Sequence, residues 1–214
     1  MTEALLEQPI GTFLDKLASA APTPGGGSIA ALSGAFAAGL LAMVCNLSIG
    51  KKALADFEQE ARSLLEQAEQ QRRLLQQLAQ DDISVFEHLM SAYALPRATQ
   101  ADAATRRAAI QHITRQATEV PLRTAQAIAA LLPLCTPLAQ RGNRNAISDV
   151  GVAALLIQAA IPSALLNVDI NLAILEDQNV VRELRAQVQD LSAGLNEEIS
   201  SIMAIVQERI GPTK

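Results

Sequence analysis

Apolar residues recur at three- and four-residue steps along nearly the whole chain, which is the spacing of one face of an α-helix. Ile10, Phe13, Leu14 and Leu17 place a stripe on a first short helix, which Pro22 and Pro24 end. A second helix is predicted from near Ser28, whose hydroxyl can cap free backbone N–H groups, to about Ile49, with Gly50 as its stop. From Leu54 a long amphipathic stretch, one helix or two, carries Glu and Gln opposite its apolar face and runs to Tyr93, where Pro96 closes it. Thr99 to Asp102 reads as a variant capping box, with Asp in place of the usual Glu or Gln. The following helical pattern meets Pro121, which predicts a kink or a break. Pro133 and Pro137 bound a region read as turn-rich, and Gln140 to Asp149 is read as a loop of turn formers. An uncharged run extends from Val150 to Val168, and a last amphipathic helix from about Gln178 to Ile210 stops at Gly211-Pro212. There is no strand alternation and no fixed-period repeat. The expected fold is all-α: a single-domain helical bundle over residues 1–214, with about six to eight helices and small-residue helices buried inside it.

The segment "APTPGGGSIAALSGAFAAGLLAMVCNLSIGKK", Ala21 to Lys52, concentrates the functional question. A phosphate loop would need its lysine at the end of the glycine run, whereas Lys51 and Lys52 lie a whole helix away. The dinucleotide fingerprint G-x-G-x-x-G is absent as well. Gly25 to Gly50 is uncharged and long enough to span a bilayer, and Val150 to Val168 comes close. These runs are rich in Ala, Gly and Ser, contain Asn46, Gln158 and Asn167, and lack Trp or Tyr at their ends. Helices buried at the centre of a bundle or at a dimer interface fit better. A glycine-led helix N-terminus also presents free N–H groups and a dipole that favour an anion, so Gly25, Gly26 and Gly27 are either a ligand loop or simply a tight turn.

Composition narrows the classes. Half of the 214 residues are hydrophobic, but only 2% are aromatic and none is Trp, so Ala, Leu, Ile and Val must build the core through close helix contacts. The net charge of −5 disfavours nonspecific nucleic-acid binding. Cys45 and Cys135 sit in apolar runs and read as two buried thiols of a reducing, cytoplasmic protein. The acidic start "MTEALLEQPIG" does not read as a signal peptide.

Polar residues on apolar helices supply a second signal. Asn46 interrupts one run, Asp149 stands alone at the head of another, and Asn167 and Asn171 share a helix face. Such groups cost free energy when buried without partners, so they mark either an internal network or a ligand site. Asp149 also suits a first-turn charge, with Ser148 or Asn145 as the cap. No CxxC, HExxH or carboxylate–histidine cluster suggests a metal site, and no G-x-S-x-G elbow is present. His88 and His112 read as surface or packing residues.

The motifs "PTPGGGSIAAL", "NLSIGKK", "GNRNAISDVGVAALL" and "NVDINL", in that order, resemble the cyclodeaminase/cyclohydrolase family: the C-terminal domain of formiminotransferase-cyclodeaminase and the free-standing methenyltetrahydrofolate cyclohydrolases. The middle segment from Asp81 to Leu122 is also similar to that family's central region. The resemblance covers nearly the whole chain. It implies an all-helical fold, a homodimer, and a tetrahydrofolate one-carbon substrate, polyglutamylated or not, with no further cofactor and no metal. No formiminotransferase domain precedes these motifs, so transfer of the formimino group is not expected. Pro162 and Ser163 stand where the family pattern leads us to expect a small Gly-Ala pair.

The reactions so implied are cyclisation of 5-formiminotetrahydrofolate to 5,10-methenyltetrahydrofolate with loss of ammonia, and hydrolysis of the methenyl compound to 10-formyltetrahydrofolate. Both pass through a tetrahedral carbon between two nitrogens and need cation stabilisation and proton transfer. On this reading Asp149 faces the cationic carbon or the pterin, and Asp82 is a second acid/base. Asn46, Asn145 and Asn167 orient the substrate or water, and Ser28, Asn143 and Ser148 complete the lining. Lys51 and Lys52 offset the glutamate tail, helped by the backbone of Gly25, Gly26 and Gly27. A folate-binding scaffold without catalysis and a small helical membrane protein are the competing classes.

Overall fold

The computed structural model describes residues 5–211; the reading of the first four residues and of Pro212 as a helix stop lies outside them. Eight α-helices follow one another among the described residues: α1 Ile10–Leu17, α2 Gly26–Ser48, α3 Glu58–Tyr93, α4 Gln100–Ala129, α5 Leu132–Arg141, α6 Ile147–Leu172, α7 Gln178–Ser192 and α8 Leu195–Ile210. Short 3-10 turns at Lys52–Leu54 and Arg144–Ala146 precede α3 and α6.

Four long helices make the frame. α2 packs on α3 and α6, α4 packs on the same two, and α2 and α4 face each other across the diagonal. Neighbours run antiparallel: Ser28 of α2 meets Asp82 of α3, and Asn171 of α6 meets Ala117 of α4. α5 and α8 close the far side of α6. Small residues permit the close approach. Ala30, Ala31, Ala37, Ala38 and Ala42 are buried on α2, and a Cβ on Gly34 would come within 2.5 Å of Ile128. Three helical stretches are long and apolar enough to cross a membrane, but in their most apolar windows 61%, 61% and 50% of residues are buried in the bundle.

Four local expectations change. α2 begins at Gly26, with Gly25 as N-cap, because Ser28 uses its hydroxyl elsewhere. α5 occupies the region read as turn-rich: Pro133 stands in its first turn, where a missing N–H costs nothing, and Pro137 is carried inside it. Pro121 and Pro162 lie inside α4 and α6 without ending them. The last predicted helix is two, because Gly194 adopts φ +71°, a left-handed conformation that breaks the ladder between α7 and α8. The long amphipathic stretch is one helix, α3, and the Thr99–Asp102 capping box forms in both directions.

Candidate active site

The glycine run leads into α2, and its geometry is set by a carboxylate from α3. The Ser28 hydroxyl donates to Asp82 Oδ2 at 2.8 Å. Gly27 makes the room, since a Cβ there would overlap the Asp82 carboxyl, lying 2.6 Å from its carbon. Asp82 therefore sits on the N-terminus of α2, where the dipole and free N–H groups favour negative charge. The anion position expected for a ligand at these glycines is filled from within the chain. Burial raises the Asp82 carboxyl above its ordinary value, and the hydroxyl and backbone N–H of Ser28 offset part of that rise.

Asn167 completes this end. It lies beside Gly26, with its amide nitrogen 3.8 Å from where a Cβ would stand. Its Nδ2 donates to the Ser163 carbonyl at 2.9 Å, one turn back along α6. Ser163 in turn donates to the Ala159 carbonyl, so the Pro162-Ser163 pair is accommodated within the helix.

The other expected residues gather at the opposite end of the α2–α6 pair. Asn46 is exposed in the last turn of α2, and Lys51 and Lys52 follow it, also exposed. Asn143 is engaged by the loop: its backbone N–H donates to Ser48 Oγ at 2.9 Å, its Nδ2 to the Leu47 carbonyl at 2.8 Å, and its Oδ1 accepts from the Asn145 N–H. Those bonds tie the loop before α6 to the end of α2. Asn145 and Ser148 are exposed, and Asp149 is half-buried in the first turn of α6. Neither Ser148 nor Asn145 caps α6; its N-cap is Ala146, without a side-chain bond.

The expected site residues thus fall into two groups at opposite ends of one chain. Ser28 and Asn46 are eighteen residues apart on α2, and Asp149 and Asn167 are eighteen apart on α6. Eighteen residues are five helical turns, so each pair shares a helix face but is separated by about 27 Å. One reacting carbon cannot be served across that distance, because reacting groups must lie roughly 3–3.5 Å apart. The expected support of Lys51 and Lys52 by the glycine backbone fails within one chain for the same reason.

Sequence reasoning missed the residues that hold the second group in place. Ser48 is buried and links Val44 to Asn143. Arg209, in the last turn of α8, donates to the carbonyls of Ala139 and Gly142. The only sequence signal for Arg209 is a cation near a helix end. Cys45 and Cys135 are buried as expected, and burial pushes both thiols up to about 12, which keeps them from acting as thiolates at neutral pH. Among the described residues, no three His, Cys, Asp or Glu side chains are grouped so that they could hold a metal ion.

The family model described as formiminotransferase-cyclodeaminase matches residues 9–190. The chain belongs to this family. It is 44% identical over 195 residues to a methenyltetrahydrofolate cyclohydrolase of Methylorubrum extorquens, covering 90% of this chain and 94% of that protein. It is 33% identical over 208 residues to the formimidoyltransferase-cyclodeaminase of Sus scrofa, spanning 97% of this chain but 38% of that longer protein. The crystal structure of formiminotetrahydrofolate cyclodeaminase from Thermotoga maritima superposes with a TM-score of 0.85 at 27% identity, covering 97% of this chain and all of the other. The all-α bundle is therefore the fold of the family.

Proposed function

We propose that this chain is a folate one-carbon enzyme whose main reaction is hydrolysis of 5,10-methenyltetrahydrofolate to 10-formyltetrahydrofolate. The observation that carries the reading is a carboxyl with a raised pKa, Asp82, held by Ser28 at the head of the glycine helix. A family member named for that hydrolysis is similar along nearly its whole length. Water adds to the methenyl carbon, and Asp82 takes one of its protons. The tetrahedral adduct then breaks its bond to N5, which gains a proton as the remaining hydroxyl becomes the formyl carbonyl. One proton is released overall. A carboxyl shifted toward neutrality suits this exchange better than an ordinary one. Asp149, a carboxylate at the head of α6, stabilises the cationic substrate, and Asn167 orients the water or the pterin. Lys51 and Lys52 meet the glutamate tail, single or polymeric. The enzyme works as a cytoplasmic homodimer.

The second reading, cyclisation of 5-formiminotetrahydrofolate with loss of ammonia, is favoured by the superposition on the Thermotoga maritima cyclodeaminase. It uses the same tetrahedral carbon and the same proton carrier. Purified protein is given each substrate in turn while methenyl absorbance is followed. Loss of methenyl absorbance above the buffer rate is expected. Formation from the formimino substrate alone supports the second reading. Folate binding without turnover of either substrate rejects both and leaves a binding homologue.

A further inference from the structure

We propose that Arg209, in the last turn of α8, is a positioning residue for turnover: together with Arg144 it locks the turn before α6 and so holds Asp149 in place. That turnover depends on Asp149 rests on the folate-enzyme reading; the lock itself rests on hydrogen-bond geometry.

The head of α6 has no cap of its own. Its N-cap is Ala146, which makes no side-chain bond to the first turn. The free N–H groups of an uncapped helix start leave its first turn prone to fraying, and Asp149 sits in that turn. Whatever fixes it must come from outside. One anchor is the end of α2, where Ser48 Oγ accepts the Asn143 N–H. That bond leaves α5 one donor short. In a continuing helix the Asn143 N–H would go to the Ala139 carbonyl, four residues back. α8 supplies the replacement. Arg209 Nη1 donates to the Ala139 carbonyl at 2.7 Å, and its Nη2 donates to the Gly142 carbonyl at 2.9 Å. One guanidinium thus spans the last turn of α5 and the start of the turn that leads to α6.

Arg144 completes the exchange from inside that turn. Its Nε donates to the Arg209 carbonyl at 3.0 Å, and its Nη2 to the Gly211 carbonyl at 2.7 Å. Carbonyls at the end of a helix have no helical donor, so Arg144 satisfies the end of α8 as Arg209 satisfies the end of α5. Each arginine serves the other's element, and opening one pair of bonds loosens the other.

Packing holds the same two elements together. A Cβ on Gly151, in the second turn of α6, would come 3.2 Å from Val206 Cγ1 and 3.6 Å from Met203 Sδ, so α8 lies directly on the head of α6. The bonds of Arg209 are charge-assisted and end on backbone atoms, whereas the ion pair of Arg62 with Glu58 on α3 joins two mobile, solvated side chains. Burial, and then the nearby Arg144 guanidinium, disfavour the charge on Arg209, so the carbonyl acceptors are what keep a cation at this point.

The test is a double-mutant cycle read on turnover and on stability in parallel. Arg209→Met keeps an unbranched side chain and removes its donors. In the wild-type background kcat should fall about ten-fold while KM changes by less than about two-fold, as expected when a reacting group is displaced rather than substrate binding lost. In an Asp149→Asn background the same change should lower turnover by less than about two-fold, because the group being positioned is gone. It should lower the melting temperature equally in both backgrounds. Equal factors in turnover would show that Arg209 acts through the fold as a whole and overturn the proposal. Amide hydrogen exchange gives a readout independent of activity: residues 142–149 should exchange about ten-fold faster in Arg209→Met, with the buried centres of α2 and α4 unchanged. Unchanged exchange in that turn overturns the lock. Should Arg209→Met fail to fold, Arg144→Met, at an exposed position, removes the other pair of bonds and should give the same pattern. Faster exchange in that turn, when the wild-type protein turns over neither folate substrate, sinks the functional reading and leaves the lock standing.

Discussion

The side-chain amide of Asn171 donates to the Ala117 carbonyl at 2.7 Å, and Ala117 is the residue whose helical donor Pro121 removes. Proline has no N–H, so the i to i−4 bond to residue 117 cannot form. α6 supplies the missing donor across the helix interface. Pro121 is tolerated inside α4 through this exchange, and α4 and α6 are fixed in register by it.

Replacing Asn171 with Ala should destabilise the fold by about 1–3 kcal/mol, because the Ala117 carbonyl loses the donor that Asn171 supplies. In a Pro121→Ala background the backbone supplies the donor again, so the same change should cost less. Urea unfolding of the four members of this cycle measures the coupling. Equal losses in both backgrounds would show that the amide acts independently of the proline.

Gly27→Ala should displace the Asp82 carboxyl, since its Cβ would overlap that group. Turnover is expected to fall by about a hundred-fold, the scale of losing one general acid–base group. Gly26→Ala meets Asn167 only at ordinary contact distance and should fold as well as wild type. Thermal melts and initial rates of the two variants separate these outcomes.

Asp82→Asn should change the pH dependence of stability in a defined direction. The folded-state pKa of Asp82 is raised by burial, so its contribution is fully present below the ordinary value of 3.8 and is lost as pH rises through the folded pKa. The Asn variant lacks this loss. Its melting temperature relative to wild type should climb from pH 3.8 upward and level off above the folded pKa, while turnover collapses at every pH. A constant offset between the two proteins across that range would refute the burial effect.

Asp149→Asn tests chemistry against folding. Asp149 lies in the first turn of α6, where a carboxylate contributes about 0.3–1 kcal/mol through the dipole. Stability should drop by no more than that, while turnover falls at least ten-fold. Unchanged turnover in a steady-state assay removes Asp149 from the mechanism.

Helical periodicity, the Thr99–Asp102 box and the buried alanine faces were legible in the chain because they depend on residues three or four positions apart. Pro121 and Pro137 misled because a donor missing from one helix can be replaced from another, as Asn171 does, or tolerated within a short helix. Gly194 was passed over because one glycine in an amphipathic pattern does not reveal its φ. For the site, the glycine loop and Asp82 were both recognised, but their contact joins residues 54 positions apart.

By itself the sequence determined helices, their apolar faces, the family and the chemical types at the site. Those follow from local spacing and residue chemistry. Only the tertiary structure decided that Ser28 serves Asp82 rather than its own helix, and that Asp149 and Asn167 stand five turns apart on one rigid rod. A continuous helix keeps its two ends apart, so no rearrangement of side chains within one chain can bring those two residues together.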